Sequence, residues 1–269
     1  MAVEKGFNRI FENNKDTDIL SLDDKEMFKL VAGDISEWEN TPSSDIGGIT
    51  PLQYFNNIKE LEVLMDLFIT GSVICNYDMP ASFIDRLKAH GDRASDFLTG
   101  LATDKSLISD SNNYLTAVAA VKVLGQWRES RSIESIINFF VNKMDENDEN
   151  YDIVAEETAH YLVEIGIPSI EPLLKVLENA QSLNSNFEYL LKALSDIGKD
   201  NKSDRIFYCL KNSFRNMENK ALGALYLKSY GDSRAIALLR GYVEKNEGKI
   251  DSVTFYEIKH AVESLGGSL

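Results

Sequence analysis

The sequence is poor in the residues from which reactive centres and covalent frameworks are commonly built. Its 269 residues include two cysteines, Cys75 and Cys209, and three histidines. Neither cysteine has a Cys or His at ligand spacing, so no disulfide scaffold and no zinc site is implied; both thiols are expected reduced, packed as small hydrophobes. Long apolar runs are missing too. No stretch approaches the roughly 18 uncharged apolar residues of a membrane span, and Met1-Ala-Val-Glu-Lys-Gly lacks the apolar run of a secretory signal. A cytoplasmic protein without membrane contact is the expectation. Positive charge is scarce, with 28 Lys and Arg against 43 Asp and Glu and a net charge of −15. Such a chain repels phosphate backbones, which disfavours nucleic acid as a partner, although a local basic groove could survive within an acidic total. Gly47-Gly48 and Gly266-Gly267 are too short for a phosphate loop or dinucleotide fingerprint, and no nucleophilic triad is legible. No cofactor is expected.

What is present is apolar material and a period. Hydrophobic residues make up 43% of the chain, enough for a sizeable core without covalent staples. Six segments end in glycine with apolar or bulky residues one and four places earlier: Leu87/His90/Gly91, Val121/Leu124/Gly125, Leu162/Ile165/Gly166, Leu194/Ile197/Gly198, Leu227/Tyr230/Gly231 and Val262/Leu265/Gly266. Positions three apart share a helix face, and each glycine is expected where the chain turns left-handed to leave its helix. The spacings are 34, 41, 32, 33 and 35 residues, the long one containing the polar loop Asp145-Glu-Asn-Asp-Glu-Asn-Tyr-Asp152. A period in the low thirties suits two helices of about four turns plus connections. After several glycines a second helix opens alike: Gly231-Asp-Ser-Arg-Ala-Ile-Ala-Leu-Leu-Arg240, Gly166-Ile-Pro-Ser-Ile-Glu-Pro-Leu-Leu-Lys175 and Arg131-Ser-Ile-Glu-Ser-Ile-Ile-Asn138. A pair of such helices cannot bury its apolar stripe alone and must stack on neighbours.

The run Leu227-Lys-Ser-Tyr-Gly-Asp-Ser-Arg-Ala-Ile236 resembles the bacterial HEAT-like repeat first named from phycobilisome lyases. The resemblance spans residues 80–269, best at Gly231 and poorest after Gly198, where Lys199-Asp-Asn-Lys-Ser-Asp204 replaces the turn. It implies an all-α fold, a right-handed α-α superhelix of about five to six helix pairs. Such a solenoid serves many purposes, so the motif specifies fold far more than function. Ahead of it, residues 49–79 are expected to cap the array with one amphipathic helix from Thr50-Pro51 to Gly71, carrying Leu52, Phe55, Ile58, Leu61, Leu64, Met65 and Phe68. Residues 1–48 form an acidic segment, with 11 acids against 5 bases. A further helix is expected there over Asp23–Trp38.

Few residues suggest chemistry. Taking Asp145 as the first place of an EF-hand loop puts Asn147 third, Glu149 fifth and Glu156 twelfth, but Asn150 stands where the turn needs glycine and Asp152 where an apolar residue packs the loop. This is a weak metal candidate beside the plainer reading of a solvated loop. His160 and His260 each precede their glycine by six residues; three repeats apart on helices spaced about 8–10 Å, they cannot share a metal. In a superhelix the second helices line the concave face. There the position after the double apolar pair reads Thr99, Asn138, Lys175, Tyr208 and Arg240. This column is either a solvated face or a groove offering donors and an aromatic to an acidic or extended partner. The expected function is a non-catalytic scaffold that binds a protein or peptide. A bilin lyase-like or other small-ligand-handling HEAT protein is the alternative the resemblance suggests, and a helical-repeat DNA-binding or glycosylase-like protein is a further one, disfavoured by charge.

Overall fold

The computed structural model describes residues 35–180 and 183–269, whose regular structure is α-helical apart from short 3-10 segments and one antiparallel bridge between Ser43 and Ile49. Most of the expected Asp23–Trp38 helix and of the acidic 1–48 segment lies outside the described residues; 35–40 are helical. No described helix is long and apolar enough to cross a membrane. The chain divides into two compact units, residues 1–123 and 124–269, a boundary that falls inside the span expected as one array.

The first unit holds α1 (Pro51–Asn57), α2 (Leu61–Ile74), α3 (Ala81–Lys88), α4 (Asp92–Ala102), α5 (Lys105–Ile108) and the start of α6 (Tyr114–Trp127). Helix α1 opens with a capping box in which Thr50 Oγ1 accepts from the Gln53 amide and Gln53 Oε1 from the Thr50 amide, both at 3.1 Å. The single helix expected as far as Gly71 is instead two, interrupted at residues 58–60. Steps of three residues fall about 60° short of a full turn each, so an apolar stripe at 55, 58, 61 and 64 would wind halfway round a straight helix. The break resets the register, burying Phe55 together with Leu61, Leu64 and Phe68. Arg86 Nε satisfies the freed Ile58 carbonyl at 2.6 Å. Phe55, Phe83, Phe68 and Phe97 form a chain of ring contacts with centroids 5.3–6.4 Å apart. The buried Glu39 carboxylate accepts from the amide and hydroxyl of Ser82, fastening residues 35–40 to the start of α3.

The second unit holds the end of α6, then α7 (Ile133–Lys143), α8 (Tyr151–Ile165), α9 (Ile170–Asn179), α10 (Ser185–Gly198), α11 (Asp204–Asn216), α12 (Lys220–Tyr230), α13 (Ala235–Lys245) and α14 (Ser252–Ser264). Alternate helices are neighbours: α8 packs on α10, α10 on α12 and α12 on α14, while α7 packs on α9 and α9 on α11. Each helix brings an amphipathic stripe to this arrangement. On α11 it is Ile206, Phe207, Cys209, Leu210 and Phe214, all buried, and each large apolar side chain so placed contributes about 1.5–3 kcal/mol.

The glycines divide into two kinds. Gly231 leaves α12 in the left-handed region at φ 74°, as expected of a helix stop. Gly125 and Gly198 do not; Gly125 lies inside α6 and Gly198 is the last residue of α10, neither with a positive φ. They are glycine because another element comes close: a Cβ on Gly125 would sit 3.3 Å from the Tyr161 backbone, and one on Gly198 would sit 3.0 Å from the Tyr230 ring and 3.1 Å from Ile206. After Gly125 the turn is made by Arg128, at φ 54°. The connections ahead of the second helices are fastened by tyrosines, since Tyr161 Oη donates to the Glu129 carbonyl at 3.0 Å, and Tyr230 Oη accepts from the Ser203 amide and donates to its carbonyl, both at 3.0 Å. The irregular turn after Gly198 thereby keeps a specific anchor.

Candidate functional site

The face of α7, α9 and α11 takes its character from what remains after each helix has buried its apolar pair. Ile136/Ile137, Leu173/Leu174 and Ile206/Phe207 are buried, and the next residues, Asn138, Lys175 and Tyr208, are exposed. Tyr208 is 51% exposed. Because α7 neighbours α9 and α9 neighbours α11, these three residues occupy helices that neighbour one another in space. Arg240 on α13 is half-buried and already engaged, with Nε donating to the Ser268 carbonyl at 2.7 Å and Nη2 to the Ser268 hydroxyl at 3.2 Å. Thr99 belongs to the first unit, and its hydroxyl donates to the Ser95 carbonyl of its own helix at 2.8 Å.

Around Tyr208 the cations are ordered by local partners. Lys211 Nζ lies 5.5 Å from the Tyr208 ring centroid, and the Arg234 guanidinium sits 4.1 Å over Phe207. Arg205 on α11 grips two carboxylates of α9, Glu178 through Nε and Nη2 at 2.9 and 2.8 Å and Glu171 through Nη1 at 2.7 Å. That fork holds Glu178 below the usual carboxylate range. Arg234 likewise pairs with Asp232 and Asp204, each at 2.7 Å, and lowers Asp232. Such exposed pairs add little to stability individually, and each guanidinium is shared between two carboxylates. Beside it, an open groove of about 650 Å³ separates the C-terminal parts of α9 and α11, lined among others by Leu177, Asn212, Arg215 and Asn216. Asn212 and Arg215 follow Tyr208 by four and seven residues, so helical periodicity from Tyr208 could have found them.

Reactive groups are muted in the described residues. Burial pushes the Cys209 thiol, which borders this groove, up to about 12, and does the same for Cys75; thiols so shifted stay protonated and inert at neutral pH. His160 is exposed on α8, and His260 Nδ1 lies 3.3 Å from Lys228 Nζ. In the acidic loop, Asp145 Oδ1 accepts from the amide and side chain of Asn147 at 3.0 Å, while Glu156, on α8, pairs with Lys192 at 3.6 Å. Among the described residues no group of three or more His, Cys, Asp or Glu side chains is placed to hold a metal ion. The arrangement can offer hydrogen bonds, one aromatic platform and an open cleft.

The chain matches no family model, and comparison with curated proteins and with solved structures gives no significant match.

Proposed function

We propose that the chain is a HEAT-like helical-repeat interaction module, a non-catalytic cytoplasmic scaffold that holds a protein or peptide segment on the face of α7, α9 and α11. The packing of alternate helices in residues 124–269 supports reading that part as an α-α superhelix, with this face as its concave side. The observation that carries the binding role is Tyr208, half exposed with Lys211 against its ring, on the helix whose Asn212 and Arg215 line the α9/α11 groove. A tyrosine held by its neighbours offers a large amphipathic contact at small entropic cost. With its arginines occupied by Glu171, Glu178, Asp204 and Asp232, the face favours an extended segment read through hydrogen bonds and ring contact over a strongly charged one. Selection of a random peptide library on the full chain tests this. Enriched peptides should lose about tenfold or more in affinity on Tyr208→Ala, the loss of one hot-spot tyrosine; peptides that bind the variant equally well would remove this face from the reading.

A further inference from the structure

The row formed by α8, α10 and α12 carries a different surface. A groove of about 440 Å³ runs between α10 and α12, with an apolar floor of Leu222, Leu225 and Tyr226. Leu225 is 37% exposed. The rim is acidic. Glu188 and Asp196 border the groove directly; Asp152 accepts from Tyr189 Oη at 3.1 Å, and Glu146 acts on Glu188 strongly enough to help burial raise its pKa. The cation of this rim, Lys192, is matched by Glu156 at 3.6 Å. Farther along α12, Lys228 lies against His260 of α14. Two carboxylates therefore border an apolar cleft whose lysine is already paired, and Glu146 and Asp152 stand against its lining residues Glu188 and Tyr189; on the α9/α11 face, by contrast, the acids are met by guanidinium groups.

We propose that the α10/α12 groove docks a partner segment in which two cationic side chains flank an apolar one. The inference rests on reading the chain as an interaction module, but it assigns a second face and a partner chemistry. Glu188 and Asp196 stand eight residues apart on α10, about 12 Å along the helix axis. Two lysines or arginines four residues apart in an extended segment span about 13 Å, which sets one cation at each carboxylate and leaves the central residue over Leu225. An anionic segment would be repelled from the same rim. Opposite charge at the edges with an apolar contact between them gives register and direction to a short peptide.

The test is a titration of the full chain, its leucine methyls isotopically labelled for NMR, with a short peptide carrying a lysine–serine–leucine–serine–lysine core. Shifts are expected at Leu222 and Leu225, with affinity about tenfold weaker after Glu188→Gln with Asp196→Asn. The second change preserves an acceptor for the Ser229 hydroxyl, which now donates to Asp196 at 2.7 Å. If that double variant does not fold, Leu225→Ser serves in its place. Glu244→Gln with Glu247→Gln, both exposed on or just after α13, changes net charge equally and should leave binding intact, as should Tyr208→Ala. The proposal fails if no methyl shifts or if the shifts fall on Leu177 and Leu183 of the α9/α11 groove. It also fails if a peptide with serine in place of the central leucine binds as well, or if both double variants weaken binding alike. Failure of the Tyr208 prediction leaves this outcome unaffected, so the two faces are judged separately.

Discussion

The two rows of helices in residues 124–269 treat the same residue types in opposite ways. On α9, α11 and the turn before α13, carboxylates meet arginines across the helix boundary, and Glu178 and Asp232 are held below the usual carboxylate range. On α10, Glu188 is pushed above it by burial and by Glu146. A net charge of −15 is thus not a uniform coat. In one row guanidinium forks meet the acids, in the other burial and a neighbouring carboxylate act on them, and an acidic total by itself distinguishes neither.

The largest way to break the comparison is to remove what holds both rows in register. Tyr230 is fully buried, packs on Gly198 and bridges the backbone amide and carbonyl of Ser203; Tyr230→Ala should cost about 3–5 kcal/mol in chemical denaturation. Gly198→Val drives a branched side chain into the same contact and should cost about 1–3 kcal/mol. Arg205→Glu sharpens the contrast without touching the core. It frees Glu171 and Glu178 and adds a third carboxylate, so the cationic peptide should then also perturb the Leu177 methyl, which it should spare in the natural chain.

Titration separates the rows next. A carboxyl raised in the folded state contributes stability at pH below its ordinary value and loses it as pH rises through the folded value, whereas a lowered one contributes above its ordinary value and loses it as pH falls through the folded value. On acidification Glu188 should therefore take up its proton before Glu178 and Asp232, an order that carboxyl-resolved NMR reads directly. Glu188→Gln should remove the early step and leave the later ones. The smallest effect is expected at Tyr208, whose exposed ring can be cut to alanine within about 0.5 kcal/mol of the natural stability, even though binding to its face should suffer.

Much of the architecture was legible because helices announce themselves locally. The Thr50/Gln53 capping box, the stop at Gly231 and the double apolar pairs of the second helices each follow from a few neighbouring residues. The errors share one cause. Gly125 read as a helix end and Gly198 as a left-handed exit, yet neither takes a positive φ, and Tyr161, Tyr230 and Ile206 come close to them from 36, 32 and 8 residues farther along the chain. The stripe from Leu52 to Phe68 read as one helix, yet its drift is resolved by a break whose free carbonyl is taken by Arg86. Of the polar column, sequence spacing located Asn138, Lys175 and Tyr208 on exposed positions, but could not foresee that Arg240 is occupied by Ser268 or that Thr99 turns its hydroxyl to Ser95.

By itself the sequence determined that the described chain would be largely helical and where the paired apolar positions of its second helices fall, since both depend on periodicity and on residues within a turn of one another. Only the tertiary structure decided which charges cancel and which remain. Arg205 lies 27 residues after Glu178, and Glu146 lies 42 before Glu188; their energies depend on distances through space that no local pattern encodes.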